Sequence, residues 1–307
     1  KHTLLSADAL HASWAATEAR LGGPGGWLLA LPAWHIAGLQ VLLRAATAGS
    51  PISVLDTAQP FTATTFTAVA GTLSADRRYV SLVPTQLHRI LQDIPATGVL
   101  ADFDAVLVGG ATTSPDLVGR AESAGIRIVT TYGMSETCGG CVYGGHPLDG
   151  VGVDIDADNR IVLSGPVLAS GYLGMPAHPA FPAPRTFVTD DLGTFSGGTL
   201  TVLGRADDVI VTGGLKVPPA PIEQALAGLP GIGELLVVGV PDPEWGRVVV
   251  AVVTGAVPSN GAVDAALADL PRHYRPRRFV TVDALPLRGP GKPDRRAAAT
   301  LAEQTAG

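Results

Sequence analysis

A short segment after a strand-like run carries hydroxyl and carboxylate groups in a turn. Residues 131–137 read TYGMSET and follow such a run at 126–130. A glycine turn at a strand end offers backbone amides and the Ser135 and Thr137 hydroxyls to a phosphate, and Glu136 adds a carboxylate. Because Mg²⁺ prefers oxygen ligands that it shares with phosphate, the segment is a candidate nucleotide and magnesium site. Taken alone, it is more typical of an ordinary β-turn with a polar rim.

Two further segments place charged residues next to glycine-rich turns. The first, GRADDVIVTGG at 204–214, sets Arg205 and two aspartates before a β-like run and a double-glycine turn. The second, LPLRGPGKPDRR at 285–296, holds Lys292 in a loop rich in glycine and proline. A lysine on a stiff, extended loop can be delivered as a point charge to a phosphate or carboxylate. Taken singly, the first segment suits a charged linker and the second a solvated surface lysine.

The two cysteines of the chain form the motif CGGC at positions 138 and 141. Such a pair is compatible with a redox pair or with half of a zinc site. A zinc site needs a second pair of ligands, and the sequence offers no obvious one. We therefore favour a packing role for both cysteines.

The elements that must position these segments alternate between strand-like and helical patterns. Strand-like apolar runs lie at 27–31, 52–55, 79–83, 105–108 and 126–130, and helical spacing is present at 35–46 and 84–94. This alternation predicts an α/β fold with parallel strands joined by crossover helices. In an open α/β sheet, ligands collect at the carboxyl ends of the strands, where GGATTS at 109–114 and TYGMSET are expected to lie.

From about residue 151 the pattern changes to short strands with tight turns. Runs at 153–155, 161–164 and 199–203 predict a small antiparallel β region. A new unit follows, with helices predicted at 219–227, at 262–270 and from 294, and strands at 234–240, 248–254 and 279–282. We therefore predict a large domain over residues 1–206 and a small, mobile α+β domain over residues 207–307.

The composition is typical of a globular protein that binds small molecules. The chain has 307 residues and 46% hydrophobic content, enough for a sizeable core in each of two domains. Its 27 acidic residues outnumber 21 basic ones, and no basic cluster stands out, which argues against nucleic-acid binding. No apolar stretch approaches the roughly 20 residues of a membrane span, and the first residues lack a secretory pattern. We therefore expect a cytoplasmic protein without membrane association.

Four motifs, in this order, resemble those of the superfamily of acyl-CoA synthetases, peptide-synthetase adenylation domains and luciferases. TYGMSET is similar to its adenine and Mg²⁺ motif, and TDDLG at 189–193 to its ribose-binding motif. GRADD is similar to its hinge motif, and GPGKPDR to its catalytic-lysine motif. The resemblance covers nearly the whole chain, and four ordered motifs are far more specific than one. It implies an enzyme that activates a carboxylic acid with ATP and transfers the acyl group to coenzyme A.

Within that superfamily the chain resembles the o-succinylbenzoate:CoA ligases of menaquinone biosynthesis. The segments LPAWHIAGLQVLLRA at 31–45 and SLVPTQLHRIL at 81–91 are similar to that family's substrate-pocket segments. The resemblance therefore implies that His35, Ser81 and Thr85 meet the substrate. For His35, a core histidine is an equally good interpretation, because its neighbours Ile36 and Leu39 are apolar. The CGGC motif would then line the pocket wall.

The resemblance also assigns residues to ATP and to its magnesium ion. Gly109, Gly110 and Ala111 would let the backbone approach adenine closely. Thr131, Tyr132 and Gly133 would border the adenine and acyl pocket, with Tyr132 stacked on the base, and Met134 and Ser135 belong to the same binding segment. Glu136 would ligate Mg²⁺ and Thr137 would reach the α-phosphate. Asp191 would accept the ribose hydroxyls, and Arg205 would help to hold the ribose.

The chemistry implied by the resemblance takes place in two steps at one site. A substrate carboxylate attacks the α-phosphorus of ATP, and Lys292 and Mg²⁺ neutralise the negative charge that builds up. The small domain then rotates about a hinge at Asp207, which withdraws Lys292. The segment Gly213, Gly214, Leu215 and Lys216 would then line the channel for coenzyme A. The implied partners are small molecules, and a homodimer is compatible with the family.

The chain departs from the superfamily pattern at several positions. The family's phosphate loop, which ends in Pro-Lys, is expected immediately before residue 1, with Lys1 matching its last residue. We therefore expect an upstream part of the large domain to be absent from this chain. Asp190 replaces the glycine of the ribose motif, Val211 a common lysine, Lys216 a frequent arginine, and Pro221 the first of two glutamates. Lysine is a poorer fork than arginine for phosphates.

Two alternatives to the leading hypothesis stay open at this stage. One is a ligase for another aromatic or acyl acid, or an adenylation domain that feeds a carrier protein. The other is a non-catalytic module that binds a nucleotide or an acyl ligand, which the expected absence of the phosphate loop motivates.

Overall fold

The structure, a computed structural model, describes residues 1–288 and 292–305, and for Arg288 and Lys292 it describes the backbone alone. The described chain divides into two compact units. The first contains residues 1–113, 117–189 and 194–201, and the second contains residues 114–116, 190–193 and 202–307. The domain boundary at residue 207 stays a prediction.

The first unit is built on a seven-stranded sheet. Strand β1 (Thr3–Leu4) lies outside this sheet and precedes helix α1 (Ala7–Leu21). The strands of the sheet and the helices between them are β2 (Gly26–Leu29), α2 (Ile36–Ala48), β3 (Ile52–Val54), α3 (Ala63–Ala70), β4 (Arg78–Leu82), α4 (Pro84–Ile90), α5 (Ile94–Ala101), β5 (Ala105–Val108), α6 (Pro115–Ser123), β6 (Ile128–Met134), β7 (Gly139–Tyr143) and β8 (His146–Pro147). The sheet order is β3-β2-β4-β5-β6-β7-β8. Strands β2, β3, β4, β5 and β6 pair in parallel. Strands β7 and β8 extend the sheet in antiparallel orientation. The predicted α/β class with parallel strands and crossover helices is confirmed.

Both faces of this sheet are covered, because successive residues of a strand point to opposite faces. In β5, Val106 and Val108 belong to one buried cluster with Phe66, and Ala105 and Leu107 belong to a second. Helices α3, α4, α5 and α6 supply the first cluster, and α1 and α2 supply the second. The near-continuous apolar strands read from the sequence are explained by this two-sided burial.

The helix predicted over residues 84–94 is divided in the structure. Helix α4 ends at Ile90, and α5 begins at Ile94. The Asp93 carboxylate accepts a hydrogen bond from the Ala96 amide at 2.9 Å and so caps the new helix, and Pro95 lies in its first turn. In residues 1–288 and 292–305, no helix combines the length and apolar character needed to cross a membrane.

Short antiparallel strands follow the main sheet, as the tight turns in the sequence predict. They are β9 (Gly152–Ile155), β10 (Arg160–Ser164), β11 (Gly171–Tyr172), β12 (Thr186–Ser196) and β13 (Thr199–Arg205). Four of them form a sheet in the order β13-β12-β10-β9, and parts of β12 and β13 are assigned to the second unit. Strand β11 pairs instead with β1.

The second unit contains one three-stranded sheet and two short hairpins. Its elements are β14 (Ile210–Thr212), β15 (Leu215–Val217), α7 (Pro219–Leu226), β16 (Ile232–Asp242), β17 (Gly246–Gly255), α8 (Asn260–Ala266), β18 (Arg278–Thr281), β19 (Leu287–Arg288), β20 (Lys292–Pro293) and α9 (Arg295–Gln304). The sheet order is β16-β17-β18, with β17 and β18 parallel. Residues Val237 and Val249 pack with α7 and α8, whereas Val238 and Val250 pack with α9. The α+β character predicted for this part of the chain is confirmed.

Candidate active site

The segment from Thr131 to Thr137 is the end of β6 and the single 3₁₀ turn that follows it. Thr137, which ends this turn, is fully buried. Its hydroxyl accepts a hydrogen bond from the Met134 amide at 2.9 Å and donates one to the Gly139 carbonyl at 2.6 Å. These bonds fix the turn that presents Ser135, which is exposed, and Glu136, which is half-buried. The contact of Thr137 with an α-phosphate stays a prediction.

The Glu136 carboxylate is held by one neighbour that the sequence analysis did not identify. The Tyr172 hydroxyl donates to Glu136 Oε1 at 2.7 Å. Tyr172 is itself fixed by rings, with His178 4.8 Å and Phe181 5.2 Å away in edge contacts. The Lys1 ammonium lies 4.8 Å from the centre of the Tyr172 ring.

This carboxylate fits a magnesium ion that is shared with phosphate. Tyr172 engages one oxygen of Glu136, and the other has no hydrogen-bond donor among the described residues. In the part of the chain that the structure describes, no three His, Cys, Asp or Glu side chains gather as a metal cage. Mg²⁺ in nucleotide enzymes is commonly held by one or two carboxylates together with substrate phosphates, so a single well-oriented carboxylate is sufficient.

The carboxyl ends of β4, β5 and β6 lie side by side, and close packing at this edge requires glycine. The Gly109 amide, at the end of β5, donates to the Leu82 carbonyl of β4 at 3.2 Å. A Cβ atom at Gly109 would lie 2.9 Å from the Thr131 carbonyl oxygen of β6. Gly110, with a φ of 80°, and Ala111 follow at the surface. The predicted binding loops are therefore adjacent, whereas their contacts with adenine stay predictions.

Among the glycines of the described residues, Gly133 has the closest backbone neighbour to an added Cβ, which gives a stability prediction. A Cβ at 133 would overlap the Gly139 carbonyl oxygen and approach the Gly140 Cα to 2.7 Å. We expect Gly133→Ala to lower the free energy of unfolding by about 1–3 kcal/mol or more, because both obstacles are backbone atoms. Gly98→Ala, in α5 with nothing within 4 Å of the new Cβ, should instead add about 0.5–1 kcal/mol. Urea denaturation of both variants measures these changes, and equal stability of the two would contradict the close approach.

The CGGC motif begins at the turn, and its first cysteine has an unusual backbone. Cys138 has a φ of 53°, in the left-handed region that only a few side chains adopt. Its carbonyl accepts hydrogen bonds from Ser13 Oγ at 3.0 Å and from Gln40 Nε2 at 2.7 Å. Helices α1 and α2 therefore hold this strained residue in place. The predicted contact of the two cysteines with a ligand stays a prediction.

Both thiols are free and buried, and their reactivity should be low. Burial raises the pKa of Cys138 to about 12 and that of Cys141 to about 12. Roughly one thiol in 10⁴ is then ionised at pH 8, and only the thiolate attacks an alkylating reagent. We expect iodoacetamide to label the folded chain at least about 10²-fold more slowly than the chain in urea, as mass spectrometry would record. Rapid labelling of the folded chain would show that the thiols are accessible.

The predicted substrate residues occupy three different settings. His35 is exposed at the N-terminus of α2, next to the exposed Trp34, so it is not a core histidine. Ser81 is buried in β4, and Thr85 is half-buried in the first turn of α4. Their contacts with a substrate stay predictions.

The face of α2 that approaches the CGGC motif carries a buried cation that the sequence analysis missed. Gln40 and Arg44 lie one turn apart on α2, and both are buried. Arg44 Nη2 donates to Thr17 Oγ1 at 3.1 Å, and the guanidinium lies 5.1 Å from the centre of the Trp27 ring. No Asp or Glu among the described residues forms an ion pair with it, and neither Arg44 Nε nor Gln40 Oε1 has a hydrogen-bond partner there. Burial is the largest effect on the pKa of Arg44 and lowers it, whereas Tyr143 and Glu18 act in the opposite direction. A guanidinium remains charged.

In the second unit, the predicted ribose and hinge residues meet at one arginine. Arg205 Nε lies 2.8 Å from Asp207 Oδ1, Nη1 lies 3.7 Å from Asp191 Oδ1, and Nη2 lies 3.5 Å from Asp190 Oδ2. The hydrogen bond with Asp207 is the largest of the effects that raise the pKa of Arg205. Asp190, which replaces the usual glycine, thus lies beside a cation that offsets its charge.

The predicted coenzyme A segment is a tight hairpin between β14 and β15. Gly213 and Gly214 form its two-residue turn with φ values of 53° and 81°, which glycine adopts readily. Lys216 follows on β15 and is exposed. The backbone of Lys292 lies in β20, whereas its side chain and Gly289, Pro290 and Gly291 lie outside the described residues.

Comparison with known proteins places this arrangement in a family. A family model described as AMP-binding enzyme matches residues 1–173, and one described as AMP-binding enzyme C-terminal domain matches residues 221–292. The chain belongs to the AMP-binding enzyme family. Neither family model matches residues 174–220 of this AMP-binding enzyme. These residues include the turn Ala206–Asp208 and the hairpin of β14 and β15.

Several relatives of this AMP-binding enzyme carry more specific names. A probable 2-succinylbenzoate–CoA ligase of Mycobacterium tuberculosis strain H37Rv is 45% identical over 305 residues, covering 97% of this chain and 80% of the relative. The structure of E. coli MenE with a bound analogue of OSB-AMS has a TM-score of 0.76 and 27% identity, covering 98% of this chain and 66% of that one. The Bacillus subtilis o-succinylbenzoate coenzyme A synthetase with ATP and magnesium has a TM-score of 0.80 over 96% of this chain and 66% of that one, and its 24% identity shows the fold alone. The resemblance to o-succinylbenzoate:CoA ligases is therefore confirmed.

The chain is shorter than the AMP-binding enzymes that it matches. It spans 80% of the two M. tuberculosis relatives but between 55% and 60% of six other curated 2-succinylbenzoate–CoA ligases. What the complete relatives bind and catalyse is therefore carried to this chain only as a proposal.

Proposed function

We propose that this chain ligates 2-succinylbenzoate to coenzyme A, using ATP and passing through an acyl-adenylate. The reaction class is supported by membership of the AMP-binding enzyme family and by 45% identity to a probable 2-succinylbenzoate–CoA ligase over 97% of the chain. ATP, Mg²⁺ and coenzyme A are accordingly the proposed co-substrates and cofactor. The remaining partners are small molecules.

The buried Arg44 is the observation that carries the substrate assignment. The substrate 2-succinylbenzoate has two carboxylates, of which one is activated by ATP and the other keeps its charge. A cation withdrawn from water without an acid partner is costly for a fold, unless a ligand completes the pairing. Arg44 forms no ion pair with an acid among the described residues, although the charge of Glu18 offsets its own in part. It lies in the segment at 31–45 that resembles a substrate pocket. It therefore suits the second carboxylate of an aromatic dicarboxylate.

The first half-reaction brings a carboxylate to the α-phosphorus of ATP. A bound magnesium ion supplies positive charge to the phosphates. Glu136 would hold that ion, and the hydrogen bond from Tyr172 leaves the other Glu136 oxygen available for it. Asp191 would accept the ribose hydroxyls while Arg205, 3.7 Å away, orients its carboxylate. Lys292 would stabilise charge on the reacting phosphate, and pyrophosphate leaves.

In the second half-reaction the thiol of coenzyme A attacks the acyl carbon and releases AMP. We assign the hairpin turn at Gly213 and Gly214, together with Lys216, to the channel for coenzyme A. Asp207 would be the hinge that exchanges Lys292 for this hairpin. A cytoplasmic location is also proposed, because two free buried thiols suit a reducing compartment.

The proposed function is tested by half-reaction assays with a panel of acids. The purified chain is given MgATP and 2-succinylbenzoate, benzoate or a fatty acid, and pyrophosphate and AMP are measured with and without coenzyme A. We expect pyrophosphate release and thioester formation with 2-succinylbenzoate alone. Activity with another acid would support a different acyl-CoA ligase. No activity combined with measurable binding of ATP or acyl-adenylate, by calorimetry, would support the non-catalytic alternative.

A further inference from the structure

Arg295 ties together three separate segments of the second unit. Its Nη1 and Nη2 atoms donate to Glu223 Oε1 and Oε2 at 2.6 and 2.8 Å, a bidentate pair with α7. Nη1 also donates to the Val237 carbonyl of β16 at 2.8 Å, and Nε lies 3.0 Å from Asp208 Oδ2. Planar guanidinium groups hold such multiple partners in a fixed geometry. Helix α7, strand β16 and the turn Ala206–Asp208 therefore meet at one side chain.

The two neighbouring aspartates of that turn are held by different arginines. Asp207 bonds to Arg205, which precedes it by two residues in the chain. Asp208 pairs with Arg295, which is 87 positions later in the numbering and begins α9. The side chains of Arg295 and Asp208 are 26% and 29% exposed, so water weakens their interaction only in part. The proposed hinge residue Asp207 is therefore bonded to the segment before it, whereas the next residue, Asp208, is bonded to α9.

A short, bonded path connects Arg295 to the backbone of Lys292. Asp294 caps α9 by accepting from the amides of Arg296 and Ala297, both at 3.1 Å. The Asp294 amide donates to the Pro286 carbonyl at 2.8 Å. Strand β20, which ends directly before Asp294, pairs antiparallel with β19. Lys292 is thus three residues from Arg295, and its backbone pairs with Arg288 at the inner end of the β19–β20 strand pair. A shift of Arg295 would be transmitted to the backbone of Lys292.

We propose that the Asp208–Arg295 ion pair is a positioning contact that makes Lys292 move as one body with the residue directly after the hinge. This inference rests on the proposed function, and it adds to it the point at which the moving body begins. Arg295 and Asp208 act on the reaction only through Lys292. Misplacement of a charged group by about 1 Å can lower a rate by roughly 10²-fold, so a contact of this kind affects catalysis from a distance.

The test removes the Asp208 contact and spares the bidentate pair with Glu223. Arg295→Gln would leave two partly buried carboxylates without a cation and could prevent folding. Asp208→Ala keeps Arg295 paired with Glu223. We expect Asp208→Ala to lower kcat for ATP–pyrophosphate exchange with 2-succinylbenzoate at least tenfold, with KM for ATP changed by less than about threefold. Asp208→Asn, which still accepts a hydrogen bond, should recover part of that loss.

Two further measurements distinguish positioning from a general loss of structure. The rate of thioester formation from supplied acyl-adenylate should stay within about threefold of the wild type, because Lys292 is withdrawn in that step. The double variant Asp208→Ala, Arg295→Lys should have a kcat for ATP–pyrophosphate exchange no lower than that of the slower single variant. Equal losses in both half-reactions, or additive effects of the two substitutions, would overturn the proposal.

A readout without catalysis separates this proposal from the proposed function. Hydrogen exchange of a peptide spanning residues 285–295 should be faster in Asp208→Ala than in the wild type, since one of the contacts that hold Arg295 beside this segment is lost. Arg296→Gln is the matched control, because Arg296 is the exposed neighbour of Arg295 on α9, and its exchange should match the wild type. Unchanged hydrogen exchange of this peptide in Asp208→Ala would refute the positioning role of the Asp208–Arg295 pair, even if the chain activates no acid. A wild type that catalyses no ATP–pyrophosphate exchange would refute the proposed function but not the positioning contact.

Discussion

Replacing Lys292 by alanine is expected to lower acyl-adenylate formation by about 10²–10³-fold, the effect of removing one preorganised group that stabilises charge in a transition state. The reaction joins a carboxylate to the α-phosphorus of a polyanion, so both partners are negative and further charge builds up on the phosphate oxygens. A lysine ammonium is a compact charge on a flexible stem, and a loop rich in glycine and proline can carry it to the phosphate. Pyrophosphate release in single-turnover experiments measures this step.

The same variant should leave the second half-reaction nearly unchanged. Lys292→Ala supplied with acyl-adenylate and coenzyme A should form the thioester within about threefold of the wild-type rate, because the lysine is then withdrawn from the site. Lys216→Ala is the informative counterpart, since it should weaken the use of coenzyme A and spare pyrophosphate release. The chain has three lysines, at positions 1, 216 and 292. Equal loss of both half-reactions in Lys292→Ala would contradict the alternation of two sites.

The strands were predictable because burial on both faces leaves a simple signal. Runs such as 105–108 are apolar at every position, and β5 has those bounds in the structure. Helix α1 has no comparable signal, because its buried face is made of small and polar residues: Ala9, Ser13, Ala16 and Thr17. The break between α4 and α5 was missed for a local reason, since Asp93 caps a new helix where the apolar spacing continues.

The candidate site was predictable where its residues lie close together in sequence or share a motif. The turn at Glu136 follows a strand, and the meeting of Asp191, Arg205 and Asp207 joins two motifs. Contacts that depend on distant segments were not predictable. Tyr172 reaches Glu136 across 36 positions, and Gln40 reaches the Cys138 carbonyl across 98 positions. Neither partner has a local sequence pattern that marks it, because tertiary packing alone creates these pairs.

Arg44 illustrates a signal that the sequence did contain. Gln40 and Arg44 are four residues apart in a helix whose only other polar residue is Thr47, so both must lie on one face. At 1% and 3% exposure they are buried. A polar pair at buried helix positions is expensive unless it serves a purpose. The same spacing is also found where a long side chain reaches out to solvent, and only the structure removes that alternative.

Arg44→Leu is expected to abolish the preference for a dicarboxylate substrate. A hydrogen bond to a charged group contributes about 1.5–3 kcal/mol, so kcat/KM for 2-succinylbenzoate should fall by about 10–10²-fold. The analogue 4-oxo-4-phenylbutanoate, which lacks the ring carboxylate, should lose less than threefold. KM for ATP should not change, because Arg44 lies on α2 and is assigned no contact with the nucleotide. Equal losses for both acids would refute the assignment of Arg44 to the second carboxylate.

The stability of the same variant separates a binding role from a structural one. A buried guanidinium without an acid partner costs free energy, and leucine in its place restores an apolar contact with Trp27. We therefore expect Arg44→Leu to unfold at an equal or higher urea concentration than the wild type, although its activity is lower. Arg44→Lys keeps the charge but loses the fork geometry, and it should recover part of the activity without the gain in stability. A marked loss of stability in Arg44→Leu would instead identify Arg44 as a structural residue, because a group selected for binding at a cost to the fold should not stabilise the fold when no ligand is present.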